Sequence, residues 1–285
     1  METPVFILTT FNDGDNALTM YESLLASLPA NSNHRLIIVD AGSTEEELKK
    51  IGQIGSVFGT YPHLSDALNA GYSVAMGFQP DGSNFDTSLA PANEYMFWIH
   101  TDMRFPQYDW ANKLIDIYKD CGGLVAKLCP GTHNIDGSTI SMQKGEVLRE
   151  GNSCPHLMSA KFLYEFYDKW GCIFNNRYVN IGGFEDHDQW FRLKEMGYIM
   201  AICSLVCVYH KGMGTREMRD TNPDQWANRN TFHNIWGPNA YQPECKVDLT
   251  EMNSELNAKY GHLKDEVEKI VTTIPNPWQS VKPCS

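Results

Sequence analysis

Three runs of consecutive apolar residues, "VFILTT" (5–10), "RLIIVD" (35–40) and "EYMFWIH" (94–100), constrain this chain more than any other feature of its sequence. Each is too short for an ordinary helix, apolar at successive positions, and closed by a polar side chain. A strand that is apolar on both faces must be covered on both faces, which is the condition of a strand inside a parallel sheet. Helical patterns follow these runs. "NALTMYESLLASL" sets Leu18, Tyr21, Leu25 and Leu28 at helical spacing, and "STEEELKKI" opens with Ser43 and Glu46 at the spacing of a capping box. A shorter run, "SVFG", leads into "LSDALNAGYSVAMG", where Leu64, Leu68 and Tyr72 share one face, and "YDWANKLIDIYKD" follows "EYMFWIH". The alternation predicts right-handed strand–helix–strand crossovers and a Rossmann-like, mostly parallel α/β sheet flanked by helices.

The rest of the chain is less regular. "QPDGSNFDTSLAPANE" (79–94) reads as a long surface insertion, and order fades between "GLVAKL" (123–128) and "SAKFLYEFYDKW", which returns as a helix. "EDHDQWFRLKEMGY" is a further helix with acids in its first turn and Gly197 at its end, and "IMAICSLVCVYH" is the strand after it. Residues 211–243 are polar and aromatic without a period, and "DLTEMNSELNAKYGHLKDEVEKIV" predicts a C-terminal helical extension broken near Gly261. A length of 285 residues fits one domain with excursions. The formal charge of -12 and the absence of a dense basic run disfavour non-specific nucleic-acid binding. Eight cysteines without CxxC spacing predict reduced thiols, and no apolar stretch approaches the about 20 residues of a membrane span. Without a signal-like N-terminus, the expected setting is cytoplasmic.

In an open parallel sheet, ligands bind outside the carboxyl ends of the strands. Those ends read "TTFNDGD", "DAGSTEE", "HTDM" and, late in the chain, "YHKGMG". One rim therefore collects Asn12, Asp40, His100, Asp102 and His210. A carboxylate and two imidazoles there suit a divalent cation with open positions for diphosphate oxygens.

In order along residues 4–212, the sequence resembles glycosyltransferase family 2 proteins of the GT-A fold. "PVFILTTFNDGDNALTMYESLLASL" is similar to their opening strand, Thr/Tyr-Asn turn and helix, and "IIVDAGSTEEEL" to their second strand and its Asp-ended loop. "LSDALNAGYSVAMG", "FEDHDQWFRLKEMGY" and "VCVYH" resemble the Asn-bearing helix, the Glu-Asp-x-Asp helix and the last strand with its histidine. The chain departs from the pattern at Thr9, where Pro is usual, at Leu68, where Arg precedes the Asn, and at His100, which replaces the first Asp of the Asp-x-Asp metal motif. The resemblance implies a GT-A catalytic domain over 1–212, with a nucleotide-binding half (1–105) and an acceptor and catalytic half (106–212). Residues 213–285 would form a loop and helical extension packed on the same domain. It implies a nucleoside-diphosphate sugar donor met by Thr10, Phe11, Asn12, Asp40, Asn69, His100 and Thr101, and Mn²⁺ or Mg²⁺ on Asp102 and His210. It also implies an inverting transfer in which Asp186, or Glu185 beside it, is the general base.

Most of these residues have a second, structural reading. Asp102 and Asp40 each serve as a turn cap, Asn12 as an N-cap, and Glu185 and Asp186 as acids complementing a helix dipole. His100 is a metal ligand, a contact to ribose or phosphate, or a plain satisfied histidine. Asp188 and Arg192 are expected to hold their helix in place. Trp190, Trp226, Phe232 and Trp236 are either core or sugar platforms. The acceptor, a glycan or another hydroxyl compound, is open, and a modified nucleic-acid base is disfavoured by charge without being excluded. Two other functions compete: a sugar-nucleotide nucleotidyltransferase, whose basic phosphate loop "TTFNDGDN" lacks, and a catalytically silent sugar-nucleotide or glycan-binding module.

Overall fold

A computed structural model describes residues 3–78, 95–121, 123–134, 146–180, 183–211, 222–240 and 247–274. The insertion expected at 79–94 and the boundary expected at 212–213 lie outside them. The sheet contains β1 (Val5–Thr10), β2 (Arg35–Asp40), β3 (Val57–Thr60), β4 (Tyr95–His100), β5 (Met103–Arg104), β6 (Val125–Asn134), β7 (Leu148–Glu150), β8 (His156–Ser159) and β9 (Ile199–His210). Its order is β3-β2-β1-β4-β8-β6-β9-β5, with β7 also paired to β9. The helices described are α1 (Gly14–Ser27), α2 (Glu45–Ile51), α3 (Leu64–Ala75), α4 (Trp110–Asp120), α5 (Ala160–Trp170), α6 (Glu185–Glu195), α7 (Asn222–Trp236), α8 (Thr250–Tyr260) and α9 (Leu263–Thr273).

Continuous apolarity gives the strands their place. Along β1, Phe6 and Leu8 enter one core while Val5 and Ile7 enter the other. Along β4, Phe97 and Ile99 divide from Met96 and Trp98 in the same way. A period of two with both sets buried is what a sheet between two helical layers requires. The first layer holds α1 and α4 with Leu256 and Leu263 of the C-terminal helices, and the second holds α3, α5 and α6. Gly71 lets α3 approach closely, since a Cβ there would stand 2.6 Å from Ile7 Cγ2.

The mostly parallel α/β sheet flanked by helices agrees with the sequence expectation, and several local readings are corrected. The half β3-β2-β1-β4 is parallel throughout, but β8 runs antiparallel between β4 and β6, and β5 and β7 run antiparallel to β9. The buried face of α1 is Ala17, Met20 and Leu24, one residue away from the stripe read through Leu18, Tyr21 and Leu25, and Leu25 is 43% exposed. The cap of α2 is Thr44, which accepts from Glu47 N. Ser43 is instead drawn into the loop by Asp40, which accepts from both its backbone N and its hydroxyl.

Candidate metal and catalytic site

Only Thr101 and Asp102 separate β4 from β5, so the chain travels a few ångströms between them. Yet β5 pairs with the far end of β9, Met103 opposite His210 and Arg104 opposite Tyr209. The sheet must therefore curl until the end of β9 meets the end of β4. A register shift between Pro130↔Cys203 and Gly131↔Cys207 supplies the bend, because the extra residues of β9 there increase its twist. Asp102 sits at the corner, and its carbonyl accepts from Lys211 N at 2.9 Å.

This closure brings His100, Asp102 and His210 together, with one ligand atom of each within 4.8 Å of the others. His210 Nε2 lies 3.2 Å from Asp102 Oδ1, and His100 Nδ1 lies 3.9 Å from the same oxygen. Burial would push the Asp102 carboxyl up, but the hydrogen bond and charge of His210, with His100 behind it, take it to about 2. Burial also lowers the His100 imidazole to about 4, against the pull of Asp102. The cluster thus offers an ionised carboxylate and a neutral imidazole at neutral pH, the forms that bind a cation. Its donor chemistry fits a divalent ion, and His100 Nε2 is buried with no hydrogen-bond partner among the described residues.

Beside the cluster, Thr9, Thr10, Phe11, Ala41, Leu64, His100 and Thr101 line a cleft of about 70 Å³. Asp40 does not face it. Its carboxylate is fully buried and accepts four bonds, from the Thr10 and Ser43 hydroxyls and from Gly42 N and Ser43 N. A carboxylate so filled has no lone pair left for a base. Asn12 stands in the left-handed region (φ 46) and accepts from Thr44 N, so it joins the first two loops; the N-cap of α1 is Asp13. Asn69 is turned toward the 173–174 backbone, accepting from Ile173 N and Phe174 N and donating to Phe174 O. Thr101 donates to Asp13 Oδ2 at 2.6 Å.

The acids of α6 differ in setting. Glu185 is buried, whereas the Asp186 side chain keeps 30% exposure. Asn152 Nδ2 donates to Asp186 Oδ2 at 2.8 Å, and His187 approaches Oδ1 through its backbone N at 2.9 Å and Nδ1 at 3.0 Å. Burial would raise the Asp186 carboxyl, but His187, with help from Lys127, holds it well below the usual carboxylate range. Asp188 is spent on structure, with Oδ2 2.7 Å from Arg192 Nε and Oδ1 accepting from Trp236 Nε1. Phe232 is fully buried and Trp190 nearly so, whereas Trp226 is 61% exposed. Sequence reading passed over Asn152, His187 and Lys127. Asn152 lies in an aperiodic stretch, and the one available signal for Lys127 was a lone charge inside the apolar run "GLVAKL".

A sheet of this order, curled so that its carboxyl edge gathers a His–Asp–His cluster able to hold a metal beside a carboxylate-bearing helix, has the GT-A fold. Among solved structures, GalNAc-T7 with UDP, GalNAc and Mn²⁺ superposes with a TM-score of 0.53 at 12% identity, over 97% of this chain and 59% of that one. The S. aureus TarS 1–349 structure in complex with UDP-GlcNAc superposes with a TM-score of 0.56 at 11% identity, over 97% and 78% respectively. This chain therefore spans somewhat more than half of the GalNAc-T7 chain. No family model matches the sequence, and no curated protein matches it.

Proposed function

We propose that this protein is a divalent-metal-dependent, inverting glycosyltransferase that takes its sugar from a uridine-diphosphate donor and passes it to an acceptor hydroxyl. The observation that carries this reading is the His100–Asp102–His210 cluster on the carboxyl edge of a GT-A sheet. The two superposed proteins were crystallised with UDP or a UDP-sugar, one of them with Mn²⁺. Asp102 and His210 would hold the ion, with His100 as the third ligand, and two nitrogen donors favour Mn²⁺ over Mg²⁺, which prefers oxygen. A bound ion supplies neutralisation of the charge that develops on the departing diphosphate.

The chain's own groups do the rest. The cleft edged by Thr10, Phe11 and His100 receives the nucleoside, and Asp40 fixes the shape of that loop from beneath. Asp186 Oδ2, engaged only by Asn152 among the described residues, is the oxygen free to accept a proton. As the acceptor oxygen bonds to the anomeric carbon, its proton passes to Asp186 and the anomeric C–O electrons leave with the diphosphate. A carboxylate so acidic is a weak base toward a resting hydroxyl, so proton transfer accompanies bond formation rather than preceding it.

A panel of UDP-sugars with and without Mn²⁺ tests the reading by thermal shift and by release of UDP. Stabilisation that needs both sugar nucleotide and metal is expected. Asp102→Ala and His210→Ala should each abolish the metal-dependent part, and the double variant should lose little more than the worse single one. His100→Ala should weaken it likewise if His100 is a ligand and leave it intact if it meets the donor. Absence of any sugar-nucleotide shift or turnover across the panel would remove the proposal.

A further inference from the structure

Lys127 on β6 is fully buried, one of the largest side chains without solvent contact. Its ammonium donates to Gln189 Oε1 at 3.1 Å, and among the described residues it has no carboxylate within 4.0 Å. Burying an ammonium against one neutral amide is costly unless opposite charge lies close by. Gln189 places that charge. It stands three residues after Asp186 and four after Glu185, so the three side chains occupy one face of α6 and the tip of Lys127 lies under the acidic turn. Burial lowers the Lys127 ammonium, and the Asp186 and Glu185 carboxylates pull it back up. His187, which burial would lower but Asp186 raises, adds no negative charge, and neither do the remaining titratable groups around Lys127. Cys129 and Cys154 are pushed up by burial, and His156 is pushed down by it, so all three are neutral at pH 7.

We propose that Lys127 is a positioning residue for the transfer reaction: beneath the direct contact of His187 with Oδ1, its buried ammonium supplies the further counter-charge that keeps Asp186 ionised beside Glu185 and an anionic donor. The inference rests on Asp186 being the base. A diphosphate and two carboxylates would otherwise crowd three negative centres into one partly dry site, and the carboxyl meant to accept a proton would already hold one. Lys127 is fully buried while the Asp186 side chain keeps 30% exposure, so the ammonium compensates Asp186 from its buried side and leaves the solvent side to the acceptor. Gln189 fixes the direction of the ammonium while leaving the charge unneutralised.

A double-mutant cycle on the unliganded protein reads the coupling without any transfer assay. Lys127→Met keeps the length of the side chain and removes the charge, and Asp186→Asn removes the opposing one. At pH 7.5, Asp186→Asn should lower the melting temperature of the wild type and raise that of Lys127→Met, because the uncompensated carboxylate is then the destabilising element. Lys127→Arg should retain the wild-type sign. Equal shifts in both backgrounds would mean that Lys127 only fills space, and the inference would fall. If Lys127→Met does not fold, the double variant still should, and its failure overturns the proposal equally. In transfer, Lys127→Met should move the acid limb of the pH–rate profile to higher pH, and Lys127→Arg should move it back. A reversed sign with no transfer from any donor sinks the transferase reading and leaves the counter-charge standing. Transfer with an additive cycle and an unmoved acid limb does the opposite.

Discussion

Two carboxylates on the same rim are prepared for different work by what surrounds them. Asp102 is flanked by two imidazoles, His210 at 3.2 Å and His100 at 3.9 Å, whereas Asp186 is held by amide donors, Asn152 Nδ2 and the His187 backbone N. The first arrangement suits a cation and the second preserves an oriented, ionised acceptor of protons. Asp186→Asn should therefore cut transfer by about 10²-fold or more while donor affinity, measured by titration, stays near that of the wild type. Glu185→Gln should leave turnover largely intact, and the reverse pattern would move the base to Glu185. Buried His156 makes a separate prediction at this scale. Its Nε2 lies 3.0 Å from the Tyr72 hydroxyl, and burial holds the ring well below 6.5, so it stays neutral in the fold. Below pH 6.5 the unfolded chain takes up a proton that the native protein refuses, so stability is complete above that pH and falls beneath it by about 1.4 kcal/mol per unit. His156→Gln should flatten that part of a urea-midpoint profile, and an unchanged slope would assign it to other groups. At this scale, the strand-end residues were legible because polar groups closing apolar strands must lie at the sheet's edge. Which way each pointed was not. Asp40 and Asn69 turn inward onto loop backbone whose proximity, 105 residues apart for Asn69 and Phe174, no local pattern encodes.

At the scale of elements, α6 carries the candidate base, so its anchoring decides how well that base is placed. Asp188 receives Arg192 Nε and Trp236 Nε1 from two sides, and the Arg192 guanidinium continues to Cys172 O and Ile173 O, each at 3.2 Å. Lys194 adds a 2.9 Å pair to buried Glu150 on β7. One ion pair thus ties α6 to α7 and to the loop that Asn69 also holds. Asp188→Ala should destabilise the protein by about 3–5 kcal/mol, since it strands a buried guanidinium. Donor binding should survive in whatever fraction remains folded, and a loss below 1 kcal/mol in urea unfolding would show that the network is dispensable. The elements readable in the sequence were those with enough length for a period: the βα units of the first half, α5, α6, and the break at Gly261. Strands β5, β7 and β8 contain two to four residues and are defined by partners distant in the chain, so no window of sequence announces them. Helix α7 escaped because one polar face, Asn228 bonded to Val179 O and Gly183 O, is turned inward, which hides the apolar stripe.

The described residues place the sheet between two large cores, and the C-terminal helices complete the first of them. Leu249, Leu256 and Leu263 are buried with α1, α4 and β9, while Lys113 reaches Glu266 at 2.7 Å and the Tyr209 hydroxyl donates to Ile274 O at 2.7 Å. The most demanding contact is polar. Asn253 of α8 accepts from Val147 N and Leu148 N and donates to Leu148 O, serving the outer edge of the short β7 as a neighbouring strand would. Since β7 in turn flanks β9, which ends on His210, the extension braces the strand that delivers a candidate metal ligand. We therefore propose that α8 and α9 belong to the same cooperative unit as the sheet, which none of the sequence motifs required. Asn253→Ala should cost about 1–3 kcal/mol by leaving those backbone groups unpaired, and Asn253→Asp, which keeps the acceptor and loses the donor, should cost less. A chain ending at residue 246 should lose the wild type's single unfolding transition and bind a hydrophobic dye, because the first core would then lie open along α4 and β9. If the shortened chain instead melts cooperatively at the wild-type temperature and keeps its metal-dependent donor shift, the extension is an appendage and the unit ends before it.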